Sequence, residues 1–204
     1  MKTQGNRQSA ALLERHPAAR ELAKKIHDRT ARAGVVGLGY VGLTLAVEMA
    51  KAGFQVTGID VDQQRVDAIN DGVSYVLDVP GAALLPLVEQ KRITATASPA
   101  AVENLDAVSV CVPTPLKKTK EPDLSFVVAA AEAARDHLRR GQLIVIESTT
   151  YPGTSRELVQ PILEKSGLKA GEDFFLAFSP ERVDPGNLTH STRSIPKVVS
   201  GATP

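Results

Sequence analysis

Apolar residues come in short runs that alternate with longer stretches of helical spacing. Ala33–Val36, Gln55–Ile59, Arg92–Thr96, Ala107–Val112, Leu143–Glu147 and Phe174–Phe178 read as strands. Lys197–Ser200 reads as a last edge strand. Between them, Tyr40–Lys51, Gln63–Asn70, Ala82–Gln90, Leu124–Leu138 and Thr154–Lys165 read as helices. Most of these end near a glycine, at Gly53, Gly72, Gly141 and Gly167. Val73–Pro80 and the polar run Lys117–Pro122 read as loops. Strands alternating with helices predict an α/β fold: a Rossmann-like, doubly wound, mostly parallel sheet with helices on both faces.

The first 32 residues stand apart from this alternation. They carry eight Lys/Arg and three Asp/Glu, a net of +5, against sixteen and twenty, a net of −4, in residues 33–204. Leu12, Ala19, Leu22 and Ile26 fall near one helical face, so Ala11–His27 reads as a short basic amphipathic helix. Its narrow apolar face favours packing on the core or on another subunit over a membrane. We therefore divide the chain into a helical extension, 1–32, and a nucleotide-binding domain, 33–204.

Composition removes some alternatives. Net charge is +1, Trp is absent and aromatics are 4%, which gives no drive toward nucleic acid and no base-stacking surface. No apolar run approaches the length of a membrane span. The sole cysteine, Cys111, excludes an intrachain disulfide and suits the cytoplasm. It falls inside the fourth strand, where a buried structural thiol is expected. No metal site is expected.

The chemistry begins at Gly37-Leu38-Gly39-Tyr40-Val41-Gly42, a G-x-G-x-x-G directly after the first strand. The second strand ends on Asp60, 18 residues after Gly42. Strand, glycine turn, helix and placed acid together predict a dinucleotide-binding unit. Gly37 serves the tight turn, Gly39 the approach of pyrophosphate, and Gly42 close packing of the helix. The helix N-terminus offers free N–H groups to the phosphates. Asp60 is expected to accept the adenosine ribose hydroxyls and to select NAD over NADP. Arg65 either covers the adenine or is a solvated helix-surface side chain.

Three more motifs fall at carboxyl ends of strands: Val112-Pro113-Thr114-Pro115, Glu147 to Thr154, and Ser179 to Asn187. Taken alone each also has a plain structural reading. Thr149 and Thr150 can cap a helix, and Glu181 can be a surface acid.

The ordered set GLGYVGL, VTGID with Arg65, CVPTPL, ESTTYPGT and SPERVDPGN resembles the UDP-glucose/GDP-mannose dehydrogenase family, from about Ala33 onward. The last two motifs are most similar to the UDP-N-acetylglucosamine 6-dehydrogenase branch, with the UDP-N-acetylmannosamine branch close behind. The resemblance implies oxidation of a UDP-sugar C6 alcohol to a carboxylate with two NAD+ in succession. It implies a cysteine that captures the intermediate aldehyde, a thioester hydrolysed by water, and a homo-oligomer at full length. It assigns Thr150 to the catalytic water and Glu181 to acid/base work. Val112, Pro113, Thr114 and Thr149 would line the nicotinamide side, and Arg182 would lie near the sugar or diphosphate. The family's nucleophilic cysteine belongs to a later GGxCIPxDP segment that these 204 residues do not include. The expectation is an NAD-binding half that does not turn over alone. A non-catalytic NAD-binding module and a 6-phosphogluconate-dehydrogenase-like reductase remain the rival readings.

Overall fold

The computed structural model describes residues 16–118, 120–181 and 195–202. The segment from 182 to 194, with Arg182, lies outside the described residues, as do residues 11–15 of the helix expected over Ala11–His27; that helix begins at Pro17, after a non-helical His16.

Seven strands form one sheet in the order β3-β2-β1-β4-β5-β6-β7. They are β1 (Arg32–Val36), β2 (Gln55–Ile59), β3 (Ile93–Thr96), β4 (Ala107–Val110), β5 (Leu143–Ile146), β6 (Phe175–Phe178) and β7 (Ser200–Gly201). All neighbours are parallel except β6 and β7. The strand order reverses between β1 and β4, so the crevice of a doubly wound sheet opens there, at the carboxyl ends.

The strands are apolar on both faces, as a covered parallel sheet requires. Ala33, Val35, Val56 and Ile93 pack on one side against α2 (Tyr40–Lys51), α3 (Gln63–Asn70) and α4 (Gly81–Glu89). Val108, Val110, Ile144 and Ile146 pack on the other against α5 (Ser125–Arg135) and α6 (Gln160–Glu164). Adjacent residues of the central strands therefore serve opposite cores, Val35 one and Val36 the other.

Some boundaries differ from the sequence reading. β4 stops at Val110 rather than Val112, because Pro113 removes the next ladder donor. Cys111 lies one residue beyond that strand, although its N–H still reaches Val36 O at 2.7 Å. α5 is Ser125–Arg135, shorter at both ends than expected. The helix expected over Thr154–Lys165 opens with a π turn at Ser155–Val159 before α6. Pro161, at the start of α6, has no N–H to continue an α ladder from that turn. A 3-10 turn at Pro99–Asn104 was not expected. The edge strand sits at Ser200–Gly201, not Lys197–Ser200, because Lys197 turns inward to an ion pair.

The first helix, α1 (Pro17–His27), buries Leu22 and docks on the amino-terminal edge of the sheet. There Asp106 accepts from Lys25 Nζ at 3.2 Å, Arg139 Nη2 at 3.1 Å and Arg32 N at 2.9 Å. Burial opposes ionisation of Asp106, but these three donors outweigh it and hold the carboxyl below the usual range. Among the described residues no helix is long and apolar enough to cross a membrane.

Candidate dinucleotide site

The turn from β1 into α2 is built on Gly37 and Gly42. Gly37 has φ +88, and a Cβ there would meet Cys111 O at 2.8 Å. Gly42 is the more exacting position: a Cβ would stand 1.8 Å from Gly37 O. Its absent side chain lets the first turn of α2 lie directly on the loop that precedes it. A Cβ on Gly39 would meet nothing within 4 Å, because that position faces open space. Gly39 also begins α2 with no side chain capping its N–H groups, which leaves them to an anion.

That open space is a cavity of about 790 Å³ at the carboxyl ends of β1, β2, β4 and β5, a size that suits a small-molecule cofactor. Gly37, Gly39, Tyr40, Val41, Asp60, Arg65, Val112, Pro113, Thr114, Thr149 and Glu181 all line it. Gly42 is packed behind the wall, and Thr150 lies one residue past the lining. The sequence-selected residues, scattered over almost 150 positions, thus converge on one space.

Asp60 occupies one end. Its Oδ2 accepts from Leu38 N at 2.6 Å and its Oδ1 from Asp62 N at 2.9 Å. Arg65 bridges Asp60 at 3.4 Å and Asp62 at 3.5 Å, and its guanidinium lies 6.0 Å from the Tyr75 ring. Arg65 therefore lines the cavity wall while its side chain stays 42% exposed. The lining also includes Val61, 98% exposed, Phe126, 48% exposed, and the small residues Ala129 and Ala133 of α5. Apolar groups left open at a cavity mouth suit the faces of a flat ring.

Tyr75 escaped the sequence reading, and Ser148 entered it only as part of the Glu147 to Thr154 motif. Tyr75, in a loop given no role, donates its hydroxyl to Leu38 O at 2.6 Å. Burial, and then the Asp60 carboxylate, push that hydroxyl up to about 12. Leu38 is thus held by its N–H through Asp60 and by its C=O through Tyr75. At the other end of the cavity, Ser148 Oγ donates to Val112 O at 2.8 Å and fastens the β5 loop to the β4 loop. No local signal marks Tyr75, 37 residues from its partner.

The same end holds Cys111, Glu147 and Glu181. Cys111 is buried, and burial followed by the charges of Glu147 and Glu181 drives its thiol strongly upward. A thiol in that field stays protonated and is a poor nucleophile, in keeping with the structural role expected of it.

A dinucleotide fits these observations. The glycine turn is open where a phosphate would approach, and an acid stands at the end of β2. Tyr40 Oη is buried in the wall with no hydrogen-bond partner among the described residues, a donor for a bound group to satisfy.

Residues 31–204 match the NAD binding domain of the UDP-glucose/GDP-mannose dehydrogenase family. The chain belongs to this family. It is similar to the UDP-N-acetyl-D-glucosamine 6-dehydrogenase of Pseudomonas aeruginosa, 42% identical over 85% of this chain and 40% of that one. The UDP-N-acetyl-D-mannosamine dehydrogenase of Pyrococcus horikoshii is 33% identical over 77% of this chain and 38% of its own length. Among solved structures, the NDP-N-acetyl-D-galactosaminuronic acid dehydrogenase of Methanosarcina mazei superposes with a TM-score of 0.79 at 33% identity. That match covers 88% of this chain and 41% of the other. The chain therefore spans about two fifths of the length of these relatives. Its cofactor is NAD, and the parallel sheet is the expected Rossmann-like one.

Proposed function

We propose that this chain is the cofactor-binding part of an enzyme that oxidises the C6 alcohol of a UDP-N-acetylhexosamine, with UDP-N-acetylglucosamine as substrate. The observation that carries the reading is the single cavity joining Asp60, the glycine turn and Glu181. The 42% identity to a UDP-N-acetyl-D-glucosamine 6-dehydrogenase supports the choice of sugar.

In this reading Asp60 binds the adenosine ribose, and the N-terminus of α2 faces the pyrophosphate. The second nucleoside then crosses β1 toward β4 and β5, placing nicotinamide against Val112, Pro113, Thr114 and Thr149. Bound NAD supplies the hydride acceptor. Thr150 orients water, and Glu181 moves a proton during hydrolysis. Glu181 favours an enzyme over a passive NAD-binding module, since cofactor binding alone does not call for a carboxylate at that end. Hydride transfer needs the sugar held within a fraction of an ångström of the ring. The family resemblance assigns much of that grip, and the nucleophilic cysteine, to segments beyond these 204 residues.

Calorimetric titration of the 204-residue chain should show NAD+ binding, with no NADH formed from UDP-N-acetylglucosamine. An enzyme that continues the frame through a GGxCIPxDP segment should release two NADH per sugar, and replacing Glu181 by Gln there should leave an acyl-enzyme visible by intact mass. Absence of NAD+ binding sinks the cofactor reading. Preference of the continuous enzyme for UDP-N-acetylmannosamine sinks only the choice of sugar.

A further inference from the structure

Glu147 follows β5, and its carboxylate is buried in the cavity wall. Ser109 Oγ donates to its Oε1 at 3.0 Å, and Lys197 Nζ pairs with its Oε2. Lys197 arrives from the other direction, 50 residues later, just before the antiparallel strand β7. The backbone there is anchored independently of the ion pair: Ala202 N reaches Leu176 O at 2.9 Å, and Arg156 Nη2 reaches Ala202 O at 3.0 Å. The sheet edge thus does not need a lysine–glutamate pair to hold β7. The pair instead puts a partly exposed positive charge beside a buried negative one, at the cavity end that also holds Glu181 and the Cys111 thiol.

We propose that Lys197 is a positioning residue for the nicotinamide end of the cofactor: by pairing with Glu147, it cancels that carboxylate's charge in the wall. The proposal rests on the orientation given above, with adenosine at Asp60. The nicotinamide ring carries a positive charge when oxidised and none when reduced. A buried, weakly screened charge in the wall therefore discriminates between NAD+ and NADH, whereas a neutral pair does not. Unpaired Glu147 favours NAD+, and an unpaired Lys197 ammonium favours NADH. Holding both redox forms with comparable strength lets a site exchange spent cofactor for fresh.

The test is the ratio of dissociation constants, Kd(NADH)/Kd(NAD+), of the full 204-residue chain by calorimetry. It is measured at about pH 8, so that a freed carboxylate stays ionised. Lys197→Met should raise the ratio by about fivefold or more. Glu147→Gln should lower it by a similar factor, and the double variant should return it to within about twofold of the starting value. Lys197→Arg should leave the ratio in place. Opposite signs for the two single variants are the signature, because a merely structural pair would weaken both cofactors alike. Should Lys197→Met not fold, Glu147→Gln and the double variant still read the charge. Equal losses for NAD+ and NADH, or shifts of the same sign, overturn the proposal. Failure of the unmodified chain to bind either cofactor overturns the orientation beneath it instead.

Discussion

The Leu38 N–H donates to Asp60 Oδ2 at 2.6 Å, so the acid that lines the cavity also fixes the glycine turn beside it. Asp60 sits at the end of β2 and Leu38 at the end of β1, and the bond ties the two strand ends together beneath the cavity. Its second oxygen is turned toward Asp62 N, and Arg65 bridges Asp60 to Asp62. Asp60→Ala should therefore lose more than one contact. We expect NAD+ affinity to fall at least tenfold, about 1.4 kcal/mol, with a smaller fall for NADP+. The unmodified chain should prefer NAD+ over NADP+ by at least about tenfold, because a carboxylate repels a 2′-phosphate. Titration of both cofactors against both proteins reads this directly, and equal affinity of the unmodified chain for NAD+ and NADP+ would count against the role of Asp60.

Tyr75 holds the opposite side of the same peptide, through Leu38 O. Replacing it with Phe keeps the ring beneath the Arg65 guanidinium and removes only the hydroxyl. A hydrogen bond of this kind is worth about 1 kcal/mol net. NAD+ affinity should thus fall about three- to tenfold in Tyr75→Phe. Its thermal midpoint should drop by only a few degrees, roughly what 1 kcal/mol does in a domain of this size. Because burial raises the hydroxyl to about 12, affinity of the unmodified chain should show no Tyr75 titration between about pH 6 and 9. An unchanged Kd in Tyr75→Phe would show that Asp60 alone secures the loop.

The contrast between these residues explains what the sequence disclosed. The glycine turn and Asp60 were legible because their constraints are local: Gly37 needs a positive φ, Gly42 needs the absence of a Cβ, and the acid follows one βαβ unit later. The parallel sheet was legible because its strands are short apolar runs that alternate with helical stretches. Tyr75, Lys197 and Arg139 were not legible, since each acts on a partner 33 to 50 residues away with no periodic signal. The π turn at Ser155–Val159 escaped for a related reason, because only one residue distinguishes its spacing from an α-helix. Ala129 and Ala133 did carry a signal: a run of small residues on a helix marks a face that something approaches closely, but the sequence does not say whether that is the sheet or a ligand.

Cys111 offers a test of the cavity's far end. Burial and two neighbouring carboxylates keep its thiol protonated, so thiolate reagents should label it slowly in the native protein. In denaturant, where its surroundings disappear, labelling should be at least about tenfold faster at pH 8. Saturating NAD+ should slow native labelling further, because Cys111 lines the same cavity. Cys111→Ser should leave NAD+ affinity within about twofold while losing some stability, since it places a hydroxyl in an apolar niche. Rapid native labelling, unaffected by NAD+, would mean that the cavity wall is open where the structure has it closed.

The anchor of α1 gives the clearest dependence on pH. Asp106 joins Lys25 of that helix to Arg139 and to the Arg32 N–H at the start of β1. Its carboxyl is held below the ordinary range in the folded state. Such a group adds stability above its unfolded pKa of about 3.9 and loses it as the pH falls through the lower folded value. Lys25 is shifted the other way, raised by its bond to Asp106. Its contribution is complete below about 10.4 and fades only as the pH climbs through the higher folded value. Between about pH 5 and 9 the cluster should therefore contribute a constant amount. Asp106→Asn keeps the shape, accepts from Arg32 N in the same way and removes the charge. We expect it to cost about 1–2 kcal/mol at pH 7, the loss of charge-assisted bonds on a partly exposed cluster. That cost should shrink toward zero below about pH 4, where Asp106 of the unmodified chain is itself taking up a proton. Urea unfolding of the two proteins at pH 7, 5 and 3 measures the difference. A gap that stays constant down to pH 3 would assign the loss to packing of the side chain and not to its charge.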